Sequence, residues 1–247
     1  MIASFPMYER PETSAAINRL WSGLRKALRE AGIDEEATYL EGAHSLDHWR
    51  DPALLISQTC GMPYRLHLHG HVHLVGSPVS TLCDPHGQYH SVIVAHKDDP
   101  RDSFLLFDGA TLAVNDAISQ SGWAAPENMA REYGFRFESV TLTGGHQASA
   151  QLVAAGGAEI AAIDAITWSL IKRFDRWANQ LKIIDRTPPT PALPFITARQ
   201  DLIDPLFDAM SCAIAAMPAP DQDLLCLNGL TQIAGAAYLA VPSPSLP

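Results

Sequence analysis

Positive charge is scarce in this sequence. The chain carries 17 Lys and Arg against 27 Asp and Glu, a formal charge of −10, and residues 201–247 contain neither Lys nor Arg. Nucleic-acid backbones are normally held on a basic surface, so a nucleic-acid partner is not expected. Long apolar runs are missing too. Nothing approaches the ~20 consecutive apolar residues of a membrane-spanning helix, so no stable membrane insertion is expected. The opening MIASFPMYERPE has no basic region followed by an apolar one. The expected location is therefore periplasmic if a signal peptide has been removed, and cytoplasmic otherwise. Cysteines are few, and Cys60, Cys83, Cys212 and Cys226 show neither CxxC nor zinc-ligand spacing. They read as buried free thiols, with a Cys60–Cys83 bridge as the alternative for an exported chain. GxSxG, Walker A and GxGxxG are absent. The pairs His44/His48 and His86/His90 lack the carboxylate of HExxH, which excludes a zincin.

What is present is an ordinary globular composition, 47% hydrophobic and 18% charged over 247 residues, enough for one large core or two smaller ones. Residues 2–7 read as a short strand, followed by a helix with Ile17, Leu20, Trp21, Leu24 and Leu28 at helical spacing. Residues 53–57 read as a buried strand running into a polar turn at 58–61, and residues 66–75 as a longer alternating strand. From 91 onward strands and helices alternate, with strands expected at 91–95, 112–114, 137–142, 160–163 and 181–184. Residues 202–216 read as a helix and 224–239 as a last apolar segment. Such alternation predicts α/β architecture with mainly parallel sheets flanked by helices, whose ligands sit at the carboxyl ends of strands. Two lobes are expected: residues 1–90 plus 187–247, and an inserted lobe of residues 91–186, with two hinge crossings.

Polar residues collect at those strand ends. In residues 115–123, NDAISQSGW, a strand ends and a helix begins with Ser119, Gln120, Ser121 and Gly122. A helix start offers unpaired N–H groups and about half a positive charge, so it can hold an anion without Lys or Arg. Simple capping by Ser119 or Ser121 explains the same residues. A second loop of this kind, Gly144-Gly145-His146, opens the next helix, and convergence of two donor-rich starts favours anion capture over capping. Asp164 ends the following strand, where it caps a helix or accepts a proton from a ligand. Tyr8, Gln58 and Thr59, at strand ends of the first lobe, would supply the opposing wall. His67, His69, His71 and His73 alternate with apolar residues. On a strand they would line one face, which suits a solvated surface better than a converging metal site, so no metal is expected.

Taken in order, the blocks LLISQTCGMP, YHSVIVAHKDDP, FDGATLAVNDAISQSGW, VTLTGGHQASAQLVAAGGAEIAAIDAITW and TPPTPALPFIT resemble the phosphate/phosphite/phosphonate type of ABC-transporter substrate-binding protein, over nearly the whole chain. The resemblance implies a two-lobed type 2 periplasmic-binding-protein fold that captures a small oxyanion in the interlobe cleft and delivers it to a permease. By match to the family motif, Ser119, Gln120 and Ser121 stand at the oxyanion-binding helix start, His146 at a second donor position and Asp164 at the acceptor. Tyr8 takes the aromatic position, with Gln58 and Thr59 beside it. Gln120 departs from the small hydroxyl residue implied there. The expected protein is a monomer without cofactor or catalytic residues. The alternatives are an enzyme of cofactor biosynthesis on the same fold, with His146 or Asp164 as acid or base, and a cytoplasmic ligand sensor.

Overall fold

The computed structural model describes residues 1–33, 36–83 and 85–247. The chain divides into two compact units, Met1–Gln88 with Pro191–Ala240, and Tyr89–Thr190 with Val241–Pro247.

The first unit is built on a six-stranded sheet. Its strands, in spatial order, are Gly229–Thr231, His73–Val79, Phe195–Thr197, Leu54–Gln58, Ile2–Ser4 and Thr38–Tyr39. Ile2–Ser4 runs parallel to both its neighbours, while Phe195–Thr197 is antiparallel to the strands on either side. Ile2–Ser4 stops early because Pro6 has no N–H for a ladder and fixes φ for the short helical turn Pro6–Tyr8. Helix Ser14–Glu30 buries Ile17, Leu20, Trp21, Leu24 and Leu28, and packs them with helix Ile203–Ala215 and the sheet residues Ala3, Leu55 and Ile56 in the main core. A second cluster gathers Trp49, Leu54, Tyr64, Leu68, Val72, Ile196 and Tyr238.

The second unit holds a five-stranded sheet in the order Leu181–Arg186, Ser91–His96, Ile160–Asp164, Thr111–Val114, Ser139–Leu142. The last three are mutually parallel, and Ser91–His96 is antiparallel to both its neighbours. Val92, Val94, Ala113, Ala161, Ile163, Trp168 and Ile171 form its core. Both sheets are thus mixed, with parallel character confined to the strands joined by crossover helices.

Three expectations need correction. Residues 66–75 are not one strand: Tyr64–Leu68 is a wide helical turn, Gly70 adopts φ +83, and the strand begins only at His73. The four imidazoles therefore do not share a strand face, and no group of three or more metal-ligating side chains is assembled among the described residues. The apolar segment 224–239 is broken into helix Ala219–Leu225, strand Gly229–Thr231 and helix Gly235–Leu239. Residues 241–247 lie with the second unit, where Trp123 Nε1 donates to the Ser245 carbonyl at 3.1 Å. All four cysteines are free thiols, so Cys60 and Cys83 are not bridged; Cys226 is buried, Cys60 and Cys83 are half-buried, and Cys212 is exposed. Among the described residues no single helix is long and apolar enough to cross a membrane.

Candidate functional site

In the second unit, the three parallel strands deliver their following loops to one edge. After Thr111–Val114 the chain turns through Asp116, whose carboxylate accepts the Ile118 amide at 2.8 Å, and enters the wide helical turn Gln120–Ala124 that continues into helix Ala125–Glu132. Ser119 caps this start, its Oγ accepting the Gly122 amide at 3.0 Å. The capping expected from the sequence is therefore real. It is not the whole arrangement. Ser121 Oγ lies 2.7 Å from His146 Nε2 and 3.3 Å from Ser119 Oγ, so both hydroxyls and the imidazole of the next loop converge. Ser119, Gln120 and Ser121 are buried, Gln120 to 1% exposure.

Gly122 is required by close packing. A Cβ there would fall 1.8 Å from Asn115 Oδ1 and 3.2 Å from His146 Cε1, so any side chain would drive the turn off its neighbours. Asn115 Oδ1 is itself buried without a hydrogen-bond partner.

His146 opens helix His146–Ala154. Burial pushes its imidazole down to about 4, against a smaller opposing pull from the Ala162 backbone. The ring is therefore neutral at pH 7. Its Nδ1 is sealed from solvent without a hydrogen bond of good geometry.

Asp164, 2% exposed, ends Ile160–Asp164 and caps helix Ala165–Phe174, its Oδ1 accepting the amides of Ile166 at 2.8 Å and Thr167 at 3.0 Å. A residue not singled out in the sequence ties it to the serines. Ser91 pairs with Asp164 across the antiparallel ladder, and its Oγ donates to the Ser121 carbonyl at 2.9 Å. Its local signal was only a hydroxyl at the start of an apolar strand.

In the first unit the expected residues lie in one stretch of structure but are mostly engaged with the fold. Gln58 Nε2 donates to the Leu193 carbonyl at 3.1 Å, and the Tyr8 carbonyl accepts the Thr13 hydroxyl at 2.7 Å. Thr59 Oγ1, in contrast, is buried with no partner. Sequence reasoning missed a polar cluster beside them: Ser4 Oγ lies 2.8 Å from both Ser57 Oγ and His48 Nε2 and donates to the Ala43 carbonyl at 3.0 Å. Two cavities lie away from these residues. One of about 520 Å³ is lined by Trp168, Lys172, Phe174 and Arg176 at the far end of the helix that Asp164 caps, and one of about 380 Å³ lies beside Gly76 and Gly235.

Two α/β units, each built on a mixed sheet flanked by helices, are the architecture of the periplasmic-binding-protein fold. Solved structures of that fold align along most of the chain. PhnD1 from Prochlorococcus marinus in complex with methylphosphonate is 14% identical, with 96% of this chain and 94% of that one covered and a TM-score of 0.74. The binding protein component of an ABC phosphonate transporter from Pseudomonas aeruginosa is 17% identical, with 97% and 82% covered and a TM-score of 0.70. The periplasmic aliphatic sulphonate binding protein SsuA from Escherichia coli is 12% identical, with 96% and 82% covered and a TM-score of 0.59. No curated protein matches the sequence. The family model for the periplasmic substrate-binding protein of phosphonate ABC transporters matches residues 56–238. The protein belongs to that family.

Proposed function

We propose that the second unit binds the oxyanion of a phosphonate or a close phosphate or phosphite relative, for delivery to an ABC-transporter permease. The observation that carries this reading is the convergence of the Ser119 and Ser121 hydroxyls with His146 at one buried helix start. Ser121 Oγ and His146 Nε2 share one hydrogen bond at 2.7 Å whose donor is set by the ring tautomer, and the Ser121 hydroxyl and the imidazole together present donors and acceptors that an anion can rearrange. Helix-start amides add N–H donors, and Gln120 adds an amide where a small hydroxyl was expected. Asp164 is the acceptor for a ligand proton. Of the first unit's residues, Thr59 is the best placed to gain from a ligand, since its hydroxyl has no other partner; Tyr8 and Gln58 are proposed as lesser contacts. The protein works as a monomer in the periplasm.

One observation favours an enzyme instead: Ser121 and His146 stand at the distance of a nucleophile and its base. Two others oppose it. The imidazole is too weakly basic at about 4 to activate a hydroxyl near neutral pH, and Asp164 Oδ1 is occupied by two backbone amides instead of orienting the ring. Binding without turnover is the better reading.

Calorimetric titration with methylphosphonate, phosphite, phosphate, sulfate and acetate tests this. A phosphonate or its relative should bind, raise the melting temperature, and be recovered unchanged. Absence of any oxyanion binding at millimolar concentration would refute the site.

A further inference from the structure

The residues that follow Ala240 return to the second unit and lie along the helix that begins at the oxyanion turn. Trp123, the residue after Gly122, donates its indole N–H to the Ser245 carbonyl at 3.1 Å, and Asn128 on the same helix donates its side-chain amide to the Pro242 carbonyl at 2.9 Å. The order is reversed, 123 with 245 and 128 with 242, so the tail runs antiparallel to the helix. Pro244, between the two bonded carbonyls, is buried. Prolines at 242, 244 and 247 restrict the tail to extended backbone, which lowers the entropy lost when it docks.

We propose that residues 241–247 are a positioning strap for the ligand site, and that Trp123 is the residue through which they act. This rests on the functional reading above. Backbone bonds close the turn, among them the Ala124 amide to the Ser119 carbonyl at 3.0 Å, and side-chain bonds fix it where Ser119 Oγ receives the Gly122 amide, where the Ser121 carbonyl receives the Ser91 hydroxyl and where Ser121 Oγ meets His146 Nε2. These side-chain bonds lie before Trp123. The strap adds one at Trp123 itself, on the other side of the two serines. Trp123 is a buried residue. Without the strap the indole N–H loses the Ser245 carbonyl and the ring loses the cover of the tail, so water replaces a fixed acceptor and the ring is no longer held in one place. Gly122 is the next residue, and the space around its Cα is already closed by Asn115 and His146. Movement of Trp123 is therefore passed to the donor array and not absorbed by slack. Docking precision of this kind sets affinity, since a displacement of about 1 Å disrupts a convergent set of hydrogen bonds.

The test compares the full chain with a chain ending at Ala240 and with Trp123→Phe, which keeps a smaller aromatic ring and removes the N–H. Amide hydrogen exchange across residues 119–132 is measured without ligand, and methylphosphonate affinity by calorimetry. In the truncated chain, exchange in this stretch should accelerate about tenfold while the core strand Ile160–Asp164 keeps its protection, and the dissociation constant should rise about tenfold. Trp123→Phe should move both readings the same way by a smaller factor. Unchanged exchange in residues 119–132 of both variants would overturn the strap, whatever the ligand result. If the full chain fails to bind methylphosphonate or any related oxyanion, the functional reading falls, and exchange alone still decides whether the tail orders the turn.

Discussion

Each unit carries a serine hydrogen-bonded to a histidine near the carboxyl ends of its parallel strands, and the two pairs are completed in opposite ways. In the first unit Ser4 gives its proton to the Ala43 carbonyl and lies within 2.8 Å of both Ser57 Oγ and His48 Nε2. A hydroxyl has one proton and two acceptor sites, so Ser4 is saturated by the fold. In the second unit Ser121 faces His146 at 2.7 Å and Ser119 at only 3.3 Å, while Asn115 Oδ1 on the same turn has no partner and His146 Nδ1 meets only the Ala162 backbone, without a hydrogen bond of good geometry. Folding closes the first network and leaves the second short of bonds. Buried polar groups left incomplete are costly, and they persist where something else completes them. On the proposed function, the contrast would separate a structural Ser–His pair from a ligand-binding one more sharply than residue type does.

The largest effect should come from the buried imidazole. A histidine whose native value is held at about 4, below its unfolded value of about 6.5, binds fewer protons when folded. Its contribution is fully present above pH 6.5 and is lost as pH falls toward 4, at about 3 kcal/mol in total for a group buried this completely. Denaturant unfolding at pH 7 and pH 4.5 should therefore show a loss of stability that His146→Gln largely removes. His48, also lowered by burial but only half-buried, should give a smaller pH dependence in the same direction. An equal effect from His48→Gln would erase the distinction between the pairs.

Next in size is the ligand contact. Ser121→Ala removes one charge-assisted hydrogen bond and should weaken oxyanion binding about tenfold to a hundredfold; without ligand it also lowers stability, because the buried His146 Nε2 loses its partner. Ser4→Ala should lower stability alone. It leaves the Ser57 hydroxyl and His48 Nε2 without their shared partner, costing about 1–2 kcal/mol of stability, and should leave affinity within a fewfold of the parent. Affinity lost in Ser4→Ala and kept in Ser121→Ala would exchange the two roles.

The convergence of the second unit's candidate residues was legible in the sequence because its parts are local. Strand, hydroxyl-rich loop and helix follow one another at 111–132 and again at 139–154, and chain order alone brings Ser121 and His146 to one edge. The Ser4–His48–Ser57 network spans elements 44 and 53 residues apart, and no local pattern marks such a meeting. Ser91 was missed for the same reason. The histidine stretch misled differently, because it carries two periods at once. Alternation through 66–74 reads as a strand, but Tyr64, Leu68 and Val72 are buried at helical spacing in one cluster, and packing chose the helical period through Leu68. The return of residues 241–247 to the second unit depends on Trp123 and Asn128, more than a hundred residues away, and nothing in its own proline-rich composition announces it.

The smallest predicted effect tests the rule itself, because the first unit is not fully saturated: Trp49 Nε1 and, beside Gln58, Thr59 Oγ1 are buried without a partner. Gln58 itself commits its amide to Leu193. If an incomplete bond marks a place kept for a ligand, Thr59 belongs with Ser121 despite lying in the other unit. Thr59→Val keeps the β-branched shape and deletes the unpaired oxygen. It should leave the ligand-free protein as stable or more stable, by up to about 1 kcal/mol, since an unsatisfied buried group is replaced by a methyl. The same variant should bind phosphonate about threefold to tenfold more weakly. Gain of stability with unchanged affinity would mean that the hydroxyl serves no ligand, and that incompleteness marks function only where, as at Ser121 and His146, several donors converge.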